Sequence, residues 1–205
     1  SHRAGRWVTN STYFKYLHKY GYKIDCSYTP YIDWEKTLGC TKKSKGNDYS
    51  SIRNKIYNIN INDTNEFILE IPVSIIRRRI YNEFSIGTLK NIRKLYYMIF
   101  GKKLWLRPNG DNLDYMMYVA EELSRKSDYL EFMIHSSELM PGGSPNFKDA
   151  NSIESLYQNL ESLFKYISIH YYGCTFKEYY YLNEDMTVRF YYLKEYTDET
   201  IFGEH

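Results

Sequence analysis

The chain has few cysteines, no long apolar run and little net charge, and each shortage excludes a class of protein. Its three cysteines, an odd number, are Cys26, Cys40 and Cys174, with no CxxC spacing. That pattern argues against a disulfide framework and against a zinc cluster. No run of about 20 apolar residues is present, so no membrane span is expected. A net charge of +2 gives no electrostatic reason to expect nucleic acid as a partner.

The first residues contain neither the apolar core of a signal peptide nor an initiator Met. The first absence, with the unpaired cysteines, favours a cytoplasmic protein. The second leads us to expect that the natural amino terminus is missing.

The 205 residues are enough for one sizeable domain, and tyrosine is the unusual component, with 24 copies. Tyrosine is abundant together with Asn, Ile and Lys, as an AT-rich genome would produce, so it does not by itself indicate a sugar-stacking surface. The run Arg77, Arg78 and Arg79 is flanked by isoleucines. It favours a solvated strand or helix edge over a phosphate site.

Hydrophobic periodicity predicts strands that alternate with helices. Strands are expected over residues 22–26, 67–72, 104–106 and 129–134, and helices over 10–21, 86–100, 111–126 and 151–173. The polar segment 27–65 is typical of a functional or disordered loop. This order predicts a parallel sheet, open or closed into a barrel. Beyond residue 178, the alternation of Val188, Phe190 and Tyr192 suggests an added strand.

The segment Tyr129–Pro145 places one histidine directly after an apolar strand. His135 stands at the predicted carboxyl end of that strand, where parallel folds form their ligand crevice. The loop after it combines Pro141, Gly142, Gly143 and Pro145, which favour a defined shape and a close approach of the backbone. A histidine that only hydrogen-bonds a neighbouring backbone group is the alternative.

Four segments together resemble one enzyme family. They are RAGRW at 3–7, DCSYTPYIDW at 25–34, LEIPV at 69–73 and LEFMIHSSELMPGGSP at 130–145. The combination resembles the polysaccharide deacetylase family, the NodB-homology carbohydrate esterases, and especially a subgroup encoded with surface-glycan glycosyltransferases. The resemblance covers residues 1–178 and leaves 179–205 as a carboxy-terminal extension. It implies an α/β fold, a parallel-stranded distorted (β/α) barrel that is incomplete at its amino-terminal side.

The resemblance also implies roles for individual residues. His135 would be the general acid that protonates the departing amine, and Arg3 would hold the catalytic carboxylate ionised. Asp33 would orient the catalytic histidine, with Asp25 a weaker second candidate, and Trp34 would wall the sugar groove. The remaining substrate-binding candidates follow the histidine and would shape the acyl pocket and its loop: Leu139, Met140, Gly142 and Gly143. A structural salt bridge for Arg3, and core packing for Trp34, Leu139 and Met140, are the alternatives.

A divalent metal, zinc or similar, is expected for the complete family domain, where it activates water. The family's Asp-Asp and His-x-x-x-His motifs precede its arginine motif, and this chain starts at that motif. His2, His18, His170 and His205 show no ligand spacing, so we expect no metal ligands in this chain.

Two explanations of that shortage stay open. The chain is either a fragment, inactive alone, that carries the acid half of a site deacetylating a polysaccharide or glycan precursor, or a degenerate homologue that binds glycan or assists assembly without hydrolysis. An incomplete barrel exposes a strand edge, which a missing segment or a homodimer would cover.

Overall fold

A computed structural model describes residues 1–37, 45–61, 66–79 and 95–184, which form a mixed α/β arrangement. Residues 95–100 are helical, and short 3-10 turns lie at Gly5–Trp7 and Ser136–Leu139. The remaining helices are α1 (Ser11–Lys19), α2 (Leu113–Ser124), α3 (Ala150–Ile167) and α4 (Phe176–Glu184). The strands are β1 (Ile24–Asp25), β2 (Tyr57–Asn60), β3 (Phe67–Glu70), β4 (Ile75–Arg78) and β5 (Lys102–Trp105).

The strands form two small sheets. In the first, with the order β1-β3-β2, β1 runs parallel to β3 with Asp25 opposite Glu70, and β2 runs antiparallel to β3. In the second, β4 and β5 are antiparallel, with Ile75 opposite Trp105. Parallel pairing is thus present in one strand pair of the described chain, and the distorted barrel stays a prediction.

The helix predicted over residues 10–21 is confirmed. Its cap is Asn10, whose side-chain oxygen accepts a hydrogen bond from the Tyr13 N–H at 2.8 Å. Gly21, at φ +79°, lies just beyond the helix, where a left-handed residue ends it without strain. Helix α2 lies within the predicted 111–126 segment.

The capping box predicted at Asn151 and Glu154 is wrong. Asp149 caps α3 instead, accepting from the Ser152 N–H at 2.8 Å and donating its own N–H to Ser152 Oγ at 3.1 Å. The observed capping box lies two residues before the predicted one. In it, the Ser152 hydroxyl accepts the N–H of the capping residue, which is the role predicted for the Glu154 carboxylate. The helix also ends at Ile167, before the predicted Gly173.

The strand predicted over residues 129–134 does not form a regular ladder, so that prediction is wrong. The segment alternates buried Tyr129, Glu131 and Met133 with half-buried neighbours. Its bonds are mixed, however: the Glu131 N–H donates to a side chain, Ser74 Oγ, while the Met133 N–H donates to the carbonyl oxygen of Leu106. Because a hydroxyl takes the place of a strand carbonyl, the pairing stays irregular. His135 therefore follows an extended segment rather than a β-strand.

Three further predictions concern the loop 27–65, the arginine run and the domain boundary at residue 178. Strand β2 lies inside the predicted loop 27–65, and β4 shows that Arg77 and Arg78 lie on a strand. Helix α4 crosses the predicted domain boundary at residue 178. Part of the helix predicted over 86–100, and the added strand at Val188, Phe190 and Tyr192, lie outside the described residues.

The largest apolar cluster lies between β5 and the helix pair α2 and α3. Its buried members are Leu104, Leu106, Met116, Val119, Leu123 and Leu163. A second cluster, under the 129–134 segment, continues from β4 to the segment around Ile32. No helix of the described residues combines the length and apolar character needed to cross a membrane. The two clusters fix the 129–134 segment and the loop that follows it.

Candidate functional site

The backbone of His135 is fixed, whereas its side chain is exposed. The His135 N–H donates to Glu138 Oε2 at 2.9 Å, and the Glu138 N–H donates back to the His135 carbonyl oxygen at 2.9 Å. This reciprocal pair opens the 3-10 turn Ser136–Leu139 in the manner of a capping box. The turn thus holds an accessible imidazole at a defined position.

Glu138 is the buried anchor of this turn, with 2% of its surface exposed. Its second oxygen, Oε1, accepts a hydrogen bond from Arg107 Nη2 at 2.9 Å. A carboxylate removed from water needs such a charged partner, since the loss of either one leaves an uncompensated charge. Arg107 thus supports His135 indirectly, although sequence reasoning did not single it out.

The glycines after His135 serve the shape of the loop. Gly142 has φ +74°, and its N–H donates to the Phe147 carbonyl oxygen at 2.9 Å. A Cβ at Gly143 would overlap the Ser137 carbonyl oxygen. Leu139 and Met140 are 37% and 57% exposed. They are therefore not core residues and remain free to contact a ligand.

Arg3 forms an ion pair with Glu131, which is 4% exposed. Its Nε also donates to the Cys26 carbonyl oxygen at 3.1 Å, and its guanidinium lies 5.4 Å from the ring centre of Trp7. Burial raises the pKa of the Cys26 thiol to about 12, against the opposing effect of Arg3. The Arg3–Glu131 pair fixes the amino-terminal segment on residues 129–134.

All three tryptophans of the chain, Trp7, Trp34 and Trp105, form one half-buried group, here called the tryptophan cluster. The ring centres of Trp7 and Trp105 are 6.1 Å apart, and those of Trp34 and Trp105 are 6.5 Å apart. The Trp34 indole N–H donates to Thr29 Oγ1 at 2.8 Å. Beneath them lie Ile32, Val73, Ile75 and Met133. Sequence reasoning identified Trp34 as a candidate but not Trp7 or Trp105. The signal available in the sequence was that tryptophan is rare in this chain, with three copies.

Asp33 is exposed and contacts residues of the segment 33–48. Its Oδ1 accepts from the Glu35 N–H at 2.8 Å, and the residue pairs with Asp48 in an isolated bridge. Among the described residues no hydrogen bond joins Asp33 to His135. The structure therefore places Asp33 beside Trp34 but does not connect it with the histidine it was predicted to orient.

A second polar centre, missed by sequence reasoning, lies between β1 and β3. Asp25 and Glu70 are opposite each other on these strands and both are fully buried. Within the described part of the chain, Asp25 Oδ2 and Glu70 Oε2 have no hydrogen-bond partner. Burial and the neighbouring Asp25 carboxyl raise the pKa of Glu70 well above its ordinary value. One proton between the two carboxyl groups would satisfy both oxygens.

Two side chains connect this acid pair with the surface. The Tyr13 hydroxyl donates to Asp25 Oδ1 at 2.5 Å, and His2 Nδ1 lies 2.7 Å from the same hydroxyl. The side chain of His2 is 38% exposed. Burial and the hydrogen bond to Asp25 raise the pKa of Tyr13. The signal for this centre was the alternation of small polar and acidic residues along 25–29, which β-periodicity assigns to one face.

No group of three or more His, Cys, Asp or Glu side chains suited to a metal ion occurs in residues 1–37, 45–61, 66–79 and 95–184. Tetrahedral and octahedral metal sites need several such ligands in one place. The residues described here therefore do not fit the divalent metal that the resemblance implies.

Replacement of Arg107 tests the anchoring of the histidine turn. Arg107→Ala leaves the Glu138 carboxylate buried without its charged partner, so the free energy of unfolding should fall by about 3 to 5 kcal/mol. Arg125→Ala is the matched control, because Arg125 forms an exposed pair with Glu121 and should lose about 1 kcal/mol or less. Urea denaturation at neutral pH measures both. Equal losses in the two variants would contradict the anchoring role.

The acid pair predicts a pH dependence of stability. A raised pKa means that folded Glu70 binds its proton more tightly than the unfolded chain, so the free energy of unfolding should fall as pH rises above the ordinary value of 4.5 toward the raised pKa. Glu70→Gln keeps the acceptor for the Tyr28 N–H and supplies an amide donor to Asp25, so its decline should be smaller.

Urea denaturation across this pH range checks the expectation. The exposed Glu161 of α3 provides the control, Glu161→Gln, whose curve should parallel that of the unmodified chain. Parallel curves for Glu70→Gln as well would exclude a protonated acid pair.

Comparison with known proteins gives no match to the chain, whether to protein-family models, curated proteins or solved structures.

Proposed function

We propose that this chain carries the acid side of a site that deacetylates a polysaccharide or glycan precursor. The observation that carries the proposal is the continuity between the tryptophan cluster and the histidine turn. Met133, which packs under the tryptophans, stands two residues before His135. Since two extended residues span at most about 7 Å, we infer that a ligand on the aromatic surface can reach the exposed imidazole.

The aromatic surface is suited to sugars because of its shape and exposure. Indole rings present a broad apolar face with one polar N–H, and carbohydrate rings present apolar C–H faces between their hydroxyls. Half-buried rings that are held from below lose little side-chain entropy on binding. The Trp34 N–H is already bonded to Thr29, which fixes the orientation of that ring.

His135 supplies the chemistry in this proposal. An imidazole, whose ordinary pKa is about 6.5, can hold a proton at near-neutral pH and release it to a departing amine. Gly142 and Gly143 allow the tight loop that follows the histidine turn. Arg3 is a positioning residue, because its pair with Glu131 and its contact with Trp7 hold the aromatic surface against the histidine segment.

A non-catalytic glycan-binding role is the second candidate. It is favoured by the tryptophan cluster, because an aromatic surface can bind a sugar ring without a metal. Both candidates share the aromatic surface and differ in whether His135 transfers a proton.

Binding of a neutral acetylated oligosaccharide tests the shared part. Chitotetraose should quench tryptophan fluorescence saturably, and Trp105→Leu, which keeps an apolar side chain but removes the ring, should weaken binding by about tenfold. Tyr157→Leu is the control, since Tyr157 is an exposed aromatic residue of α3. If chitotetraose does not bind, or if both variants weaken binding equally, the aromatic surface is not a sugar site.

Acetate release from chitotetraose tests the catalytic part. In the protein encoded by the complete gene, supplied with zinc, His135→Ala should lower kcat by about 100-fold without a comparable change in KM or thermal stability. His170→Ala, at an exposed position beyond α3, should leave the rate unchanged. Chitotetraose binding without acetate release would favour the non-catalytic role, and an unchanged rate in His135→Ala would remove the histidine from the reaction.

A further inference from the structure

The small sheet of β4 and β5 places like charges directly opposite each other. Arg77 pairs with Lys103, and Arg78 pairs with Lys102. Like charges at opposed positions of an antiparallel pair destabilise it. Two such pairs in one short ladder depart from the cross-strand pairing that stabilises a sheet. Departures of this kind concentrate at functional sites.

The two cation pairs lie on different faces, and one of them is compensated within the protein. Arg78 and Lys102 are on the face covered by α2. The Arg78 guanidinium lies 3.8 Å from the ring centre of Tyr118, and Lys102 Nζ lies 4.2 Å from that of Tyr115. Cation–π contacts of this length stabilise both charges. This pair therefore has a structural role.

The other pair continues the tryptophan cluster. Because side chains alternate along a strand, Arg77 and Lys103 share the face of Ile75 and Trp105. Trp105 is two residues from Lys103, or about 7 Å along the strand. Both cations are exposed, and the Arg77 Nε donates to the Phe100 carbonyl oxygen. A half-buried aromatic ring and two exposed cations thus lie side by side on one face.

The nearby acids compensate this pair only partly. Asp48 has its pKa lowered first by hydrogen bonds from Ser50 and to a smaller degree by Lys103. Glu138 is already paired with Arg107. Among the described residues, neither Arg77 nor Lys103 has a carboxylate within salt-bridge distance. The face is therefore cationic in a chain whose net charge is only +2.

A cavity adjoins this face. It has a volume of about 530 Å³ and extends from β5 to the segment before α2, a size within the range of small-molecule sites. Lys103, Trp105 and Arg107 line it, with Asp111 as an acidic member. Lys102 and Tyr115 of the opposite face also reach it, whereas Arg77 lies outside its lining. The buried Asn112 fixes its floor, accepting from the Asn109 N–H at 2.9 Å and donating to the Arg107 carbonyl oxygen at 2.8 Å.

We propose, on the basis of the glycan function above, that the substrate is an acidic glycan whose anionic substituent binds Arg77 and Lys103 while a neighbouring sugar ring packs on Trp105. A guanidinium presents two parallel N–H donors that match a carboxylate or phosphate, and an ammonium adds a point charge. The opposed cations then contribute to binding at the expense of the stability of the sheet.

Matched oligosaccharides separate the charge from the sugar. At low salt, tetragalacturonate should bind about tenfold more tightly than its neutral methyl ester, and the difference should disappear near 1 M salt, where screening is strong. Lys103→Glu should abolish the preference, because it removes one cation and places a salt-bridge partner opposite Arg77. Lys15→Glu, an exposed lysine of α1, is the control and should keep the preference.

A second arm identifies the anionic group. N-acetylglucosamine 1-phosphate, compared with N-acetylglucosamine, reports on phosphate as tetragalacturonate reports on carboxylate, and a preference in either arm that Lys103→Glu removes supports the proposal. No preference in both arms, or an equal loss in Lys15→Glu, overturns it. If the neutral chitotetraose still binds in that case, the glycan function stands alone. If only the anionic probes bind, anion binding at Arg77 and Lys103 is supported and the proposed glycan function is contradicted.

Discussion

Four carboxyl groups of the described chain, Asp25, Glu70, Glu131 and Glu138, are almost completely removed from water. An ionised carboxylate inside a protein is destabilising by several kcal/mol unless a charge or a proton compensates it. Glu131 and Glu138 are compensated by arginines, whereas Asp25 and Glu70 face each other. Among the described residues, one oxygen each of Asp25, Glu70 and Glu131 has no hydrogen-bond partner. This constraint determines which distant segments must meet.

The two arginine pairs explain how the candidate site is assembled. Arg3 and Glu131 are 128 positions apart, and their pairing brings the amino-terminal segment, with Trp7, against Trp105. Arg107 then connects β5 with the turn that carries His135, through Glu138. The tryptophan cluster and the histidine turn are thus fixed to the same extended segment by charges that lie below the surface.

The features that the sequence predicts correctly are those fixed by neighbours in the chain. Asn10 caps α1 through a contact three residues away, and the glycines after His135 are required by the local turn. The irregular pairing at Glu131 was not predictable, because it depends on the hydroxyl of Ser74, 57 positions away. The same holds for the tryptophan cluster and the acid pair, since both arise from strand register and tertiary contacts. Periodicity identifies a buried segment but not the acceptor to which its backbone N–H donates.

The placement of charge links the interior with the proposed binding face. Two of the buried acids, Asp25 and Glu70, lie opposite each other, and in the described part of the chain neither is paired with a Lys or Arg side chain. A net charge near zero therefore does not give a surface of uniform charge, and the small sheet presents Arg77 and Lys103 beside Trp105 with no salt-bridge partner among the described residues. Because Arg78 and Lys102, on the opposite face of the same ladder, are stabilised by tyrosines, repulsion there is offset. At Arg77 and Lys103 it is offset only in part, by the Phe100 carbonyl oxygen and by Asp48. The remaining repulsion is relieved when an anion binds, which gives the exposed face an affinity that the covered face lacks.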